Sequence, residues 1–121
     1  MEKIEWKNEN PLMFNENQQY IHYNKGSLVL YAISDYIGEK NFNNALKDYV
    51  SAVAFQEAPY TNSIEFVSYI EKATPDSLKY VIKDMFETIT LYDNKVNNVT
   101  SKKLPNGNYL VEIEFDVAKY R

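Results

Sequence analysis

The spacing of apolar residues changes once along this chain. Up to about residue 87 they recur at helical intervals; from residue 88 they alternate in twos. The longest apolar run is Ser27 to Ile37, where Leu28, Val29, Leu30, Tyr31, Ala32 and Ile33 follow one another and cover every face. A helix apolar all round is a buried one, so a buried helix is predicted from about His22 to Ile37. Gly38 follows it, where a left-handed C-terminal cap is expected. Phe42, Ala45, Leu46, Tyr49, Val50 and Val53 repeat at i, i+3, i+4, i+7, i+8 and i+11, which predicts a second helix over about Asn41 to Val53 with one buried face. With only Gly38-Glu39-Lys40 between them, the two should pack as an antiparallel pair. Residues 54–62 read as a loop, with Phe55 and Tyr60 tucked in. A third helix is predicted from Ser63, with Asn62 and Glu65 as a variant capping box and Ile64, Phe66, Val67, Tyr69 and Ile70 as its apolar side. Thr74 and Pro75 predict the start of a fourth, as N-cap and first helical residue, with Asp76 in the first turn and Leu78, Val81, Ile82, Met85 and Phe86 facing the core.

The alternating part begins at Thr88-Ile89-Thr90-Leu91-Tyr92 and continues as a polar strand over Lys95 to Lys103. Pro105-Asn106-Gly107-Asn108 is a hairpin turn, with Gly107 supplying a positive φ. Tyr109, Val111, Ile113, Phe115 and Val117 then alternate with Leu110, Glu112, Glu114 and Asp116, the signature of a strand with one buried face. A two-stranded hairpin is marginal by itself, so this strand should want a partner outside the sequence. The fold predicted is mainly α, about four helices in antiparallel pairs followed by a C-terminal β-hairpin, α+β overall. Its expected divisions are an irregular polar arm over 1–19, with Trp6, Leu12, Met13 and Phe14 as anchors, a helical domain over 20–87 and a hairpin over 88–121.

Composition narrows the classes of function. With 121 residues, 45% hydrophobic and 25% charged, the chain can build a core, and eleven Tyr and six Phe make it an aromatic one. The net charge of −4 and the lack of any basic block argue against a nucleic-acid surface. No apolar run approaches the ~20 residues of a membrane span, and the first six residues lack a signal-peptide core, so a soluble segment is expected. There is no cysteine, which excludes disulfides, thiolate metal sites and a cysteine nucleophile. His22 is the single histidine, so the two-histidine helix of a zincin cannot be built from this chain.

Few side chains remain to carry chemistry. Glu112, Glu114 and Asp116 share one strand face and read as a solvated, edge-protecting face. Asn98-Val99-Thr100 matches a glycosylation acceptor with nothing else to support it. His22, at a helix start, has no serine or acid placed to form a relay with it. Tyr20 and Tyr23 lie three apart at the same place. They read as boundary tyrosines, although a phenol there can donate a hydrogen bond to an oxyanion.

The order of motifs adds to this. Tyr23-Asn24-Lys25-Gly26-Ser27-Leu28-Val29-Leu30, then Ile37-Gly38-Glu39, then Phe42-Asn43-Asn44-Ala45-Leu46-Lys47-Asp48-Tyr49 resembles the pattern downstream of the zinc motif in the M1 (gluzincin) aminopeptidases. Ala58-Pro59-Tyr60-Thr61, Ala73-Thr74-Pro75-Asp76 and Phe86 through Asn94 are similar to bacterial M1-like proteins, in some of which the peptidase region follows an ABC-transporter permease region. The resemblance covers residues 20–121. It implies that this chain is the C-terminal part of a peptidase catalytic region and the start of a following β module. It also implies that Tyr23 stabilises the oxyanion, and that the parent takes zinc and a peptide substrate and sits at a bacterial membrane in the fused type. No cofactor is expected in this chain, which should be inactive without the remainder of the parent. Exposed apolar surface, and with it self-association, is expected. The other reading is a non-catalytic helical interaction module that keeps the peptidase-like scaffold.

Overall fold

The computed structural model describes residues 9–120, in two compact units that divide between Ile89 and Thr90. Trp6, expected to anchor the arm, lies outside the described residues.

The helical unit opens with a 3-10 turn, Leu12–Phe14, followed by a π-helical turn, Tyr20–Lys25, that runs unbroken into helix α1, Gly26–Ile37. The π turn is closed by the Gly26 amide, which donates to the Ile21 carbonyl. The helical backbone thus begins at Tyr20, two residues before the expected start. α1 buries Val29, Ile33 and Ile37, one stripe at i, i+4 and i+8, and leaves Leu28 and Tyr31 in solvent. The expectation of a helix buried all round is therefore corrected: consecutive apolar residues cover every face, but only one face has a neighbour to pack against.

Gly38 alone joins α1 to α2, Glu39–Val53. Its φ of 85° and ψ of 136° combine a positive φ with an extended ψ, so it ends one helix and starts the next in one residue. Helix α2 starts two residues earlier than expected and buries Phe42 and Ala45, while Val50 at the end of the same stripe is exposed. Phe55, at φ 60°, and Tyr60 lie in solvent rather than tucked in.

Helix α3, Ser63–Ala73, is capped by the Asn62 side chain, which accepts from the Glu65 amide at 3.0 Å. Val67 and Ile70 are buried and Ile64 is exposed. Tyr49 of α2 meets Phe66 and Tyr69 of α3 edge-on, with ring centroids at 5.1 and 5.6 Å. Thr74 does not cap a fourth helix. Its hydroxyl donates to the Ile70 carbonyl at 2.8 Å, ending α3, and Pro75 takes the capping position of the following 3-10 turn, Asp76–Leu78. With Pro75 in the capping position, Thr74 stands one residue too early to cap the turn ahead. The fourth helix is composite: this 3-10 turn, then α4, Lys79–Ile82, then a π turn, Lys83–Glu87. Its stripe of Val81, Ile82 and Phe86 is buried as expected, with Leu78 and Met85 packed beside the core.

The hairpin unit pairs β1, Leu91–Lys103, with β2, Tyr109–Tyr120, antiparallel. Thr88 closes the preceding π turn rather than starting the strand. The Leu104 carbonyl accepts from the Gly107 amide at 3.0 Å, and the Leu104 amide donates to the Asn108 carbonyl at 2.7 Å. Gly107, at φ 85°, is the left-handed residue of this three-residue loop. Cross-strand pairs share a face, so Tyr92, Val96, Val99, Tyr109, Val111, Ile113, Phe115 and Val117 fall on one side. That side was expected to be buried. Its residues are 49–66% exposed, in a sheet of two strands.

Candidate functional site

The site is built where the π turn meets the chain before it. Residues 10–18 fold back on themselves: the Asn10 amide donates to the buried Gln18 side-chain oxygen, and the Gln18 amide to Asn15 Oδ1. Lys25 Nζ reaches Glu9 Oε1 at 2.6 Å with both side chains about three-quarters buried, tying that segment to the helix. Ser63 Oγ donates to the Met13 carbonyl at 2.6 Å and fixes the other end of it to α3. Leu12 and Met13 are thereby held as one wall of a pocket of about 390 Å³, whose other lining includes Leu30, Phe66, Val67 and Phe86. His22 and Tyr23 stand on its rim.

The Tyr23 phenol is 65% exposed and its ring lies 4.5 Å from that of His22. Asn15 Nδ2 is 3.1 Å from His22 Nδ1. An amide nitrogen only donates, so Nδ1 is the acceptor and the proton of the neutral ring sits on Nε2. His22 is thus oriented by Asn15, and its ring in turn borders Tyr23. Tyr20, the other boundary tyrosine, is also exposed. Tyr23 lies in the first turn of the continuous helix Tyr20–Ile37, at the end where the helix dipole favours negative charge.

Glu112, Glu114 and Asp116 lie on the polar face of β2, all exposed, opposite Thr100, Asn98 and Lys95. Among the described residues no group of three His, Cys, Asp or Glu side chains is gathered that could hold a metal. With one histidine in the whole sequence, the residues present do not fit the zinc site of a gluzincin. Among the described residues no helix is long and apolar enough to cross a membrane.

Sequence reasoning singled out Tyr23 as a candidate and noted His22 beside it, but did not single out Glu9, Asn15 and Ser63, which the structure places around them. Their partners lie 16, 7 and 50 residues away, so no local pattern marks them. Each is a short polar residue in a stretch that reads as loop or cap.

No curated protein and no solved structure matches this chain. The model of the peptidase family M1 domain does match, over residues 1–104. That span takes in the whole helical unit, the pocket and Tyr23, and most of the chain's length. The order of motifs around Tyr23 and the match over 104 residues agree, and the chain belongs to peptidase family M1.

Proposed function

We propose that this chain is the C-terminal part of the catalytic region of an M1-like zinc metallopeptidase and that Tyr23 is its catalytic contribution. The observation that carries the reading is the family match across the segment that presents an exposed phenol at a helix start. In a hydrolysis step, the scissile carbonyl oxygen gains negative charge as water adds to the carbon. A phenol O–H held about 2.7–3.1 Å from that oxygen stabilises the charge more than it stabilises the ground state. The Tyr23 hydroxyl would donate that bond. His22 borders its ring, and the Glu9–Lys25 ion pair steadies the helix start. Zinc would supply Lewis-acid chemistry in the parent, held by residues outside this chain, which would also bring the general base.

The purified chain is therefore expected to hydrolyse no peptide with or without added zinc, and zinc-dependent turnover by it would contradict the proposal. Replacing Tyr23 by Phe in the complete parent should lower kcat by ~10²–10³-fold and leave KM nearly unchanged, the pattern of a group that acts only in the transition state.

The second reading, a helical interaction module without catalysis, is favoured by solvent-exposed Tyr31, Phe55 and Tyr60. A His-Glu-x-x-His motif within about a hundred residues upstream in the genomic reading frame supports the peptidase. A frame lacking it supports the module.

A further inference from the structure

His22 and Tyr23 are neighbours in the chain, and side chains of successive helical residues point apart. Their rings nevertheless meet, with planes inclined at 49°. A closed loop of hydrogen bonds sets where the His22 ring lies. The Gln18 amide donates to Asn15 Oδ1 at 3.2 Å, which fixes that end of the Asn15 side chain as its oxygen. Asn15 Nδ2 is therefore the atom that faces His22 Nδ1 at 3.1 Å, and it donates. The His22 backbone amide closes the loop by donating to the Gln18 carbonyl at 3.1 Å. Gln18 anchors the loop, since its side chain is buried and its oxygen accepts from the Asn10 amide. The ring is thus held twice, through its own backbone and at Nδ1. Among the described residues that line the adjoining pocket none is a carboxylate, so no acid there draws the ring into another protonation state. A loop that served only to start the helix would need these backbone bonds but no ring at position 22.

We propose that His22 is a positioning residue: Asn15 holds its ring in the Nε2–H tautomer, and that ring sets the direction of the Tyr23 phenol. The inference rests on the reading of Tyr23 as the oxyanion donor. A phenol stabilises an oxyanion only where its O–H is aimed at the oxygen, and a misplacement of about 1 Å costs up to ~10²-fold in rate. A tyrosine side chain as exposed as Tyr23 has more than one staggered rotamer open to it. A ring held with its centroid 4.5 Å away removes those that would overlap it. His22 touches no reacting atom in this scheme; it acts through Tyr23.

The chain holds one histidine, so its ring nitrogens can be read without ambiguity by long-range proton–nitrogen NMR of the full chain. At a pH where the ring is neutral, the Nε2–H tautomer is expected. Asn15→Asp should reverse it, because a carboxylate only accepts and Nδ1 must then carry the proton. An Nδ1–H ring in the unsubstituted chain, or a tautomer indifferent to Asn15→Asp, would overturn the proposal. Steady-state peptide hydrolysis by the complete parent tests the positioning. His22→Ala and Asn15→Ala should each lower kcat by ~tenfold or more with KM nearly unchanged, and Asn15→Asp, which keeps a bond to Nδ1, should retain most of kcat. In a Tyr23→Phe background His22→Ala should lower kcat no further, because its effect passes through the missing hydroxyl. Circular dichroism checks that each variant keeps its helices. Full kcat in His22→Ala, or an equal loss with and without the Tyr23 hydroxyl, would overturn this inference and leave the role of Tyr23 standing. Unchanged kcat in Tyr23→Phe would instead remove the reading beneath it, and the inference with it.

Discussion

Gly26 closes the Tyr-x-Lys-Gly segment, yet the fold of this chain does not require a glycine there. Its backbone is helical, at φ −58° and ψ −45°, and an added Cβ would meet the Ile21 carbonyl oxygen and Leu12 Cδ1 at ordinary contact distances of 3.6 and 3.7 Å. Gly26→Ala should therefore stabilise the chain by about 0.5–1 kcal/mol in denaturant unfolding. Gly38 is the opposite case: open space surrounds it, but its φ of 85° strains any L side chain, so Gly38→Ala should destabilise by about 1–3 kcal/mol. Phe55 occupies a positive-φ position in full solvent at the end of α2. Phe55→Gly should raise the melting temperature by relieving about 1 kcal/mol of backbone strain. The exposed Asp76–Lys79 pair contributes a pH dependence. The Lys79 ammonium, by hydrogen bond and charge, holds the Asp76 carboxyl below its ordinary value, and Asp76 raises Lys79 in return. Asp76's share is present above the ordinary carboxylate value and fades as pH falls through its lowered one. Lys79's share is present below the ordinary lysine value and fades as pH rises through its raised one. Melts of Asp76→Asn and the parent chain should thus converge in strong acid and strong alkali, and also at high salt.

At the scale of elements, what could be read from the sequence follows from periodicity. The second and third helices carry one apolar stripe each and appear within two residues of their expected starts, because a stripe that must face a core fixes both period and phase. The first helix misleads, since Leu28 to Ile33 carry no phase: nothing in the sequence says that Val29 and Ile33 turn inward while Leu28 and Tyr31 do not. The two π turns, Tyr20–Lys25 and Lys83–Glu87, are equally illegible, because an extra residue in one turn leaves no compositional mark. Tyr23 lies in the first of them; its motif, not its turn, makes it a candidate. The pocket beside it was not found, since Leu12, Leu30, Phe66 and Phe86 come from four separate segments. In the hairpin, alternation predicts β2 well, but β1 breaks it at Asn97. Deleting Asn97 should remove the bulge and restore strict alternation, leaving Val96 and Val99 two residues apart on the same face, at unchanged strand content by circular dichroism.

The whole molecule combines a helical unit built on one apolar core and a hairpin unit of two antiparallel strands. Among the described residues no buried side-chain nitrogen or oxygen lacks a hydrogen-bond partner, and the polar ties at Glu9, Asn15 and Ser63 converge on the segment that frames Tyr23. Those ties hold the segment beside Tyr23 to α1 and α3. Breaking one at a distance, as in Lys25→Met, should lower stability by about 1 kcal/mol or less. The most direct measurement is steady-state peptide hydrolysis by the complete parent carrying Tyr23→Phe. A fall in kcat of ~10²–10³-fold with nearly constant KM is predicted; an unchanged kcat would contradict the assignment of Tyr23 to the oxyanion.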